Sequence, residues 1–208
     1  MQTRKFVLLT CFLSVFLSGT SQITSFIGAS AYSTLSKTRT SDASFAIGYG
    51  AGISYVFWEN DEWFIKSGAD FISRSSNIVD LPRYFDVTGD QGLVEIGQLY
   101  NQKNIVVPIA VYFIPWKKKK NAILVMGGMN IMYTIQSKYQ NDTYGTHVLS
   151  ADDIDHNVKV GFLLGAGYQR EFSDVLFLNI FPTLNIDIRS DDPFTTFGLT
   201  LEMIYGVY

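Results

Sequence analysis

The sequence predicts an all-β fold, an eight-stranded antiparallel transmembrane β-barrel, from three observations. Hydrophobic residues make up 47% of the 208 residues, whereas charged residues are only 17%, below the roughly 25% of ordinary soluble domains. Much of the chain alternates between bulky apolar residues and small or polar ones, with the two-residue period of a β-strand. The alternating segments are long enough to cross a bilayer at the tilt that a barrel requires.

The N-terminal segment is predicted to be a targeting signal. Two basic residues precede an uncharged run over residues 6–17, and small residues lie just before Gln22. The run is shorter than the roughly 20 residues that a membrane-spanning helix needs, so the pattern is typical of a secretory signal peptide. We therefore predict a signal peptide over residues 1–21 and a barrel domain over residues 22–208. The single cysteine, Cys11, lies within the signal, so disulfides are not expected.

Eight segments then follow the strand pattern. In residues 43–58, for example, bulky residues such as Ile47 and Ile53 occupy the odd positions, and Gly48, Gly50 and Gly52 occupy even ones. This alternation predicts one bulky apolar face and one nearly bare face on each strand. The predicted strands are 26–35, 43–58, 63–73, 105–116, 121–136, 158–169, 176–189 and 194–208.

The composition of the two faces distinguishes a membrane barrel from a soluble one. A membrane barrel directs its bulky residues outward to lipid, whereas a soluble barrel encloses them. Here glycine and polar residues line the second face, which predicts a narrow lumen packed with side chains and not a wide pore. Glycines such as Gly50 and Gly165 are expected to make room for longer inward side chains such as Lys66 and Lys159.

The connections between strands fall into two length classes. Residues 59–62, 117–121 and 171–174 are predicted to be short periplasmic turns. Residues 75–104 and 138–157 are predicted to be long extracellular loops, and the first of these could extend the barrel as a hairpin.

Aromatic residues support this orientation. All three tryptophans lie next to the predicted periplasmic turns, as expected of a girdle at the membrane interface. The predicted aromatic girdle consists of Trp58, Trp63, Trp116, Phe172 and Tyr205. The basic run 117–120 is then expected to be a solvated turn beside anionic lipid headgroups.

Charged residues also occur on the inward face. Unpaired buried charges are costly, so a salt-bridged plug is favoured over an ion or proton path. Within it we expect Glu202 to pair with Lys66 or Lys159. The predicted polar network of the lumen comprises Lys66, Asp70, Arg74, Lys159, Asp187, Arg189 and Glu202.

The second long loop contains both histidines. His147 and His156 occur with three aspartates over residues 152–155, but the segment lacks the spacing and turn glycine of an EF-hand. A solvated acidic loop is therefore favoured over a metal site, and no cofactor is expected. Ser150 lies near His147, yet proximity in sequence does not make a nucleophile and base with an orienting acid. We predict no catalytic residue.

Three segments carry a resemblance to a known family. They are NIVVPIAVYFIP with its central Pro108, ILVMGGMNIMY, and VGFLLGAGYQREF. They resemble the Bacteroidetes outer-membrane β-barrel family typified by PorT. The resemblance implies a location in the cell outer membrane. PorT is associated with type IX secretion, so the resemblance also implies a role in protein secretion as an alternative.

These observations lead to one functional prediction and three alternatives. We predict a non-enzymatic outer-membrane protein in contact with lipid, with a structural or interaction role through its long loops or periplasmic rim. The alternatives are an accessory component of type IX protein secretion, a secreted lipocalin-like carrier of a small ligand, and a lipid-modifying enzyme. Nucleic-acid binding is not expected, because the formal net charge is -3.

Overall fold

The structure is a computed structural model that describes residues 25–39, 43–60, 62–79, 97–141, 145–150, 158–189 and 193–207. The predicted signal peptide lies outside these residues. No helix in the described part of the chain is long and apolar enough to cross a membrane. The strands are β1 (Ser25–Thr38), β2 (Ala43–Glu59), β3 (Trp63–Val79), β4 (Gly97–Lys118), β5 (Asn121–Asn141), β6 (Gly145–Ser150), β7 (Val158–Ser173), β8 (Leu176–Arg189) and β9 (Phe194–Val207).

Eight of these strands close into a ring. Each pairs antiparallel with its neighbours in the order β1-β2-β3-β4-β5-β7-β8-β9, and β9 returns to β1. The short strand β6 is not part of the ring. It pairs with residues 136–141 of β5, beyond the residues of β5 that pair with β7. A closed ring satisfies the backbone hydrogen bonds of every wall strand, which is the condition for β-structure to cross a bilayer. The predicted eight-stranded antiparallel barrel is confirmed.

The alternating sequence explains which side chains face outward. Ile47 is 74% exposed and Leu201 is 51% exposed, whereas Arg74 and Glu202 are each 1% exposed. The outer wall is therefore apolar and the charged residues point inward. This is the reverse of a water-soluble barrel and the arrangement that contact with lipid tails requires.

Pro108, inside β4, interrupts the pairing with β3 without opening the barrel. Between β3 and β4 the pairing passes from Ser67 opposite Ile109 to Asp70 opposite Val106, and Pro108 lies in this gap. Proline has no N–H to donate to a neighbouring strand. The carbonyl of Pro108 instead accepts a hydrogen bond from Ser67 Oγ at 2.7 Å.

Tight connections define one end of the barrel, here called the short-turn end. Asn60 closes the β2–β3 turn, because its Oδ1 accepts hydrogen bonds from the backbone N–H groups of Glu62 and Trp63 at 2.9 and 2.8 Å. In the β4–β5 turn, Lys119 has a φ of 55°. The opposite end is called the long-loop end.

The predicted bounds of the long loops, residues 75–104 and 138–157, were wrong, because strands continue into both segments. β3 continues to Val79 and β4 begins at Gly97, while β5 continues to Asn141 and β6 covers Gly145–Ser150. These segments pair with one another, in line with the hairpin considered for the first loop. We call residues 76–79, 97–103, 136–141 and 145–150 the outer sheet.

The inward glycines accommodate different side chains from those predicted. A Cβ on Gly52 would overlap the carboxylate of Asp70, so the missing side chain leaves the space that Asp70 occupies. Neither Lys66 nor Lys159 is among the nearest groups to any of these glycines. The same relationship holds for Tyr32 over Gly50, Met126 over Gly165 and Phe181 over Gly167.

Candidate functional site

The lumen is filled in layers, and the layer at the short-turn end is apolar. Its members are inward-facing residues in the parts of their strands that lie towards the short turns. The prediction that glycine and polar residues alone line the lumen is therefore wrong at this end. The apolar plug consists of Phe26, Val56, Phe64, Ala110, Tyr112, Leu124, Met126, Phe181 and Ile204.

An ion pair lies directly above the apolar plug. Lys66 Nζ on β3 lies 2.7 Å from both carboxylate oxygens of Glu202 on β9. The structure thus brings Glu202 to Lys66, the first of the two partners predicted for it. The ammonium group also lies 4.5 Å from the centre of the Tyr112 ring, at the upper surface of the plug.

Neutral side chains complete the surroundings of the Glu202 carboxylate. Ser54 Oγ donates a hydrogen bond to Oε1 at 2.8 Å, and Asn179 Nδ2 donates one to Oε2 at 3.1 Å. A buried carboxylate is tolerated when a counter-ion and hydrogen bonds replace its hydration. Glu202 therefore has the set of partners expected of a permanent structural element.

A second ion pair lies towards the long-loop end. Arg74 Nη1 lies 3.0 Å from both oxygens of Asp187, and its guanidinium carbon lies 4.5 Å from the centre of the Phe194 ring. Asp187 Oδ2 also accepts a hydrogen bond from the backbone N–H of Phe194 at 3.1 Å. Arg74 and Asp187 therefore connect β3, β8 and the start of β9 in one buried cluster.

Gln102 joins two cations in this upper layer. Its Oε1 accepts hydrogen bonds from Arg74 Nη2 at 3.3 Å and from Lys159 Nζ at 3.0 Å. Its Nε2 donates to the hydroxyl of Tyr100, whose ring stacks on Phe194. The upper layer is thus a continuous network of charged, amide and aromatic groups across the barrel.

A cavity of about 90 Å³ separates the two ion pairs. We call it the chamber. Lys66 and Glu202 lie in its floor, Asp70 in its side, and Thr34 and Asn185 are among its lining residues. Side chains from β4, β5 and β7, including Pro108, Met126 and Leu163, supply an apolar wall.

Six of the seven charged residues predicted for the lumen do face it. Lys66, Arg74, Lys159, Asp187 and Glu202 are buried. The half-buried Asp70 lines the chamber, and it belongs to neither of the two ion pairs found among the described side chains. Arg189 is the last residue of β8, but its side chain lies outside the described part of the structure.

Residues predicted for the aromatic girdle lie near the short-turn end. Trp116, Phe172 and Tyr205 are exposed on the outer wall, and Trp63 is partly buried. Trp58 belongs to β2, but its side chain is not among those described. The turn residues of the basic run, Lys119 and Lys120, are exposed at the same end.

The outer sheet ends in a strand with one described neighbour. In the described part of the chain, β6 pairs only with β5, over Gln136 to Asn141. His147 and Ser150 lie on β6, but their side chains are not described. His156 and the aspartates over residues 152–155 lie outside the described residues, so the solvated acidic loop that was favoured over a metal site stays a prediction.

Sequence reasoning identified neither the chamber nor the position of Gln102 in the upper layer. Tyr32 and Thr34 were not selected because the strand pattern of β1 is weak, and Gln102 fell within a predicted loop. Asn185 and Thr196 have the inward phase of β8 and β9, which is the signal that could have found them. Their convergence depends on the cross-barrel register, which a single sequence does not contain.

Comparison with solved structures places this architecture among outer-membrane barrels. The outer membrane protein OprG from Pseudomonas aeruginosa is 10% identical, with a TM-score of 0.50 over 90% of this chain and 97% of that chain. The Neisserial surface protein A (NspA) is 11% identical, with a TM-score of 0.49 over 87% of this chain and 97% of that chain. Ail, the attachment invasion locus protein of Yersinia pestis, is 12% identical, with a TM-score of 0.46 over 89% and 100%.

At such low identity these likenesses show the fold alone. No protein-family model matches the sequence, and no match was found among curated proteins. The barrel fold together with its apolar outer wall locates the protein in the outer membrane, in contact with lipid.

Proposed function

We propose that this protein is a non-enzymatic, non-conducting barrel that anchors an interaction surface, the outer sheet, in the outer membrane. The observation that carries the proposal is the contrast between a lumen closed at several levels and strands that continue past the barrel wall. A transmembrane strand needs about 9–11 residues. β4 has 22 residues and β5 has 21, well beyond that requirement.

The closed lumen argues against a pore or a carrier. The apolar plug blocks the short-turn end, and the cluster around Arg74 and Asp187 blocks the lumen further up. A lipocalin-like carrier would need an apolar ligand cup and a polar outer wall. This barrel has charged residues inside and an apolar outer wall.

The edge of the outer sheet suggests how a partner would bind. An exposed strand edge offers backbone N–H and C=O groups, and an extended segment of another protein can pair with them as an added strand. β6 offers such an edge, since β5 is its one neighbour in the described part of the chain. We infer that the partner contributes an extended segment to the outer sheet.

Site-specific photo-crosslinking in the native cell envelope tests this proposal. A photoreactive amino acid is placed at Asn77 or Gln140, both exposed on the outer sheet, and at Ile109 on the lipid-facing wall as the matched control. A discrete protein adduct from the outer sheet, without one from Ile109, is the expected result. Equal labelling at all three positions, or none, would contradict the proposed surface.

Conductance measurements test the closed lumen separately. Purified barrel inserted into a planar bilayer is expected to show no stable single-channel steps. Regular conductance from the unmodified protein would favour the ion path that was the alternative to a plug.

A role as an accessory component of type IX protein secretion is the second proposal. It is supported by the resemblance to the PorT-typified family in segments that form β4, β5 and β7. In this case the crosslinked partner would be a component of the secretion machinery, and a deletion strain would lose secreted cargo. Normal secretion in that strain would contradict this second role and leave the first one standing.

A further inference from the structure

We propose that the chamber binds one small monovalent cation, with the Asp70 carboxylate as its anionic ligand. The inference concerns the inside of the barrel and does not depend on the role of the outer sheet. It is based on the charge of the lining, on buried oxygens that converge on the chamber, and on its size.

The charges that line the chamber do not cancel. Its charged lining residues are Lys66, Asp70 and Glu202, which together carry one net negative charge when ionised. Lys66 contacts both oxygens of Glu202 and neutralises it, whereas Asp70 belongs to neither ion pair of the described side chains. In the upper layer Arg74 pairs with Asp187 and Lys159 donates to the neutral Gln102, and neither cation lines the chamber. A single bound cation would neutralise the chamber.

Buried oxygens around the chamber lack protein donors. Within the described part of the chain, Thr34 Oγ1, Asn185 Oδ1 and Thr196 Oγ1 have no hydrogen-bond partner, although these residues are only 4%, 7% and 5% exposed. All three residues line the chamber. Leaving a buried polar group without a partner costs about 1–3 kcal/mol, so such oxygens indicate an additional polar occupant.

The geometry near Gly161 adds to this set. The position that a Cβ would occupy on Gly161 lies 2.7 Å from Asn130 Oδ1 and 2.8 Å from Asn185 Oδ1. Both amide oxygens are without a donor among the described residues, and of the two asparagines only Asn185 is a lining residue of the chamber. The two amide oxygens therefore converge on Gly161, where the missing side chain leaves room for them.

The size and ligand chemistry define the kind of cation. Roughly 10–15 Å³ of space suffices for one water molecule, so about 90 Å³ holds an ion with several waters. Carboxylate, hydroxyl and amide oxygens are hard ligands, which bind alkali and alkaline-earth ions and not soft metals. Asp70 is the one lining carboxylate that belongs to no ion pair of the described side chains, which favours a monovalent ion over a divalent one.

Rubidium is a suitable probe because its anomalous X-ray scattering distinguishes it from water. The barrel over residues 22–208 is refolded and crystallised in rubidium chloride, so that the ion can enter before the lumen closes. An anomalous peak beside Asp70 is the expected result. Ordered density without an anomalous signal would show that the chamber holds only water, and this would overturn the proposal.

A variant pair tests the role of the carboxylate. Asp70→Asn is expected to remove the rubidium peak, whereas Asp174→Asn, at an exposed turn, leaves it unchanged. A peak that persists in Asp70→Asn would overturn the assignment of Asp70 as the ligand.

Thermal unfolding of the unmodified barrel tests cation binding even if Asp70→Asn does not fold. Rubidium chloride is exchanged for N-methyl-glucamine chloride at constant ionic strength, since that bulky cation cannot occupy the chamber. The Tm of the unmodified barrel is expected to rise with rubidium concentration, because a ligand of the folded state stabilises it. In folded Asp70→Asn the apparent affinity should fall by about tenfold or more. An unmodified barrel with the same Tm in both salts would contradict the proposal.

Discussion

Lys66 and Glu202 connect two strands that are not neighbours in the barrel wall. The lysine lies on β3 and the glutamate on β9, and β2 and β1 separate these strands in the ring. The 2.7 Å contact therefore crosses the lumen and holds opposite parts of the wall at a fixed separation.

Replacing Glu202 by leucine is expected to destabilise the barrel strongly. The substitution leaves the Lys66 ammonium buried without its counter-ion, and breaking a buried pair from one side costs about 3–5 kcal/mol. The measurement is the urea concentration at the midpoint of unfolding in detergent or lipid. The folded fraction is read from the difference in gel mobility between heated and unheated protein.

The matched control for Glu202→Leu removes both charges. The double variant Lys66→Met with Glu202→Leu is expected to recover much of the loss, because no charge then remains unpaired. An unchanged midpoint in Glu202→Leu would show that the pair does not contribute to stability.

Two adjacent glycines of β5 should respond in opposite ways to alanine. At Gly128 a Cβ would lie 2.6 Å from Ala110 Cα and 2.8 Å from Ala110 Cβ, so neighbouring backbone would have to move. At Gly127 the nearest atom is Leu164 Cδ2 at 3.7 Å, an ordinary contact. Gly128→Ala is expected to cost about 1–3 kcal/mol and Gly127→Ala to be neutral or slightly stabilising. Unfolding midpoints that shift equally in the two variants would contradict this assignment of inward and outward faces.

Arginine on the outer wall tests the lipid contact. Leu201 is exposed near the middle of β9, between Ala31 and Ile180, and Leu201→Arg is expected to cost about 2–4 kcal/mol in a bilayer. Gln140→Arg, on the outer sheet, should leave the free energy of unfolding nearly unchanged. Folding titrations in lipid vesicles compare the two, and similar costs would place both positions in the same environment.

The depth of the tryptophans tests the predicted aromatic girdle. Bromine near the lipid headgroup should quench their fluorescence more than bromine near the end of the acyl chain, because interfacial tryptophans lie at headgroup level. Trp116→Phe, which removes a 45% exposed tryptophan, should reduce the shallow quenching. Stronger quenching by the deep bromine would show that the tryptophans do not lie at the membrane interface and would contradict the predicted girdle.

The wall of the barrel could be predicted because lipid imposes a simple pattern. Residues such as Ile47 and Leu201 must be apolar where they meet acyl chains, and the two-residue period then assigns the opposite face to the lumen. Beyond the membrane this constraint ends. The strand ends over residues 75–79 and 97–104 were therefore predicted as loop, since water permits polar residues on both faces.

The contents of the lumen were predictable by residue type but not by position. Inward phase selected Lys66, Asp187 and Glu202, yet which groups meet depends on the register between strands distant in sequence. For this reason Asp70 faces the space above Gly52, and Glu202 pairs with Lys66 and not with Lys159. The apolar plug was missed because residues such as Phe26 and Ile204 are single apolar residues on faces that otherwise carry glycine and polar residues.

The seam between β1 and β9 has a consequence for how the protein is made. All 14 residues of β1 pair with β9, so the first described strand finds its second neighbour only when the last has been synthesised. Contacts between the two ends of a chain are slow to form, because a long loop must close before they contribute. The seam should therefore be the last part of the wall to assemble. A chain shortened at its C-terminal strand would expose the edges of β1 and β8, and would be a substrate for envelope proteases instead of a membrane protein.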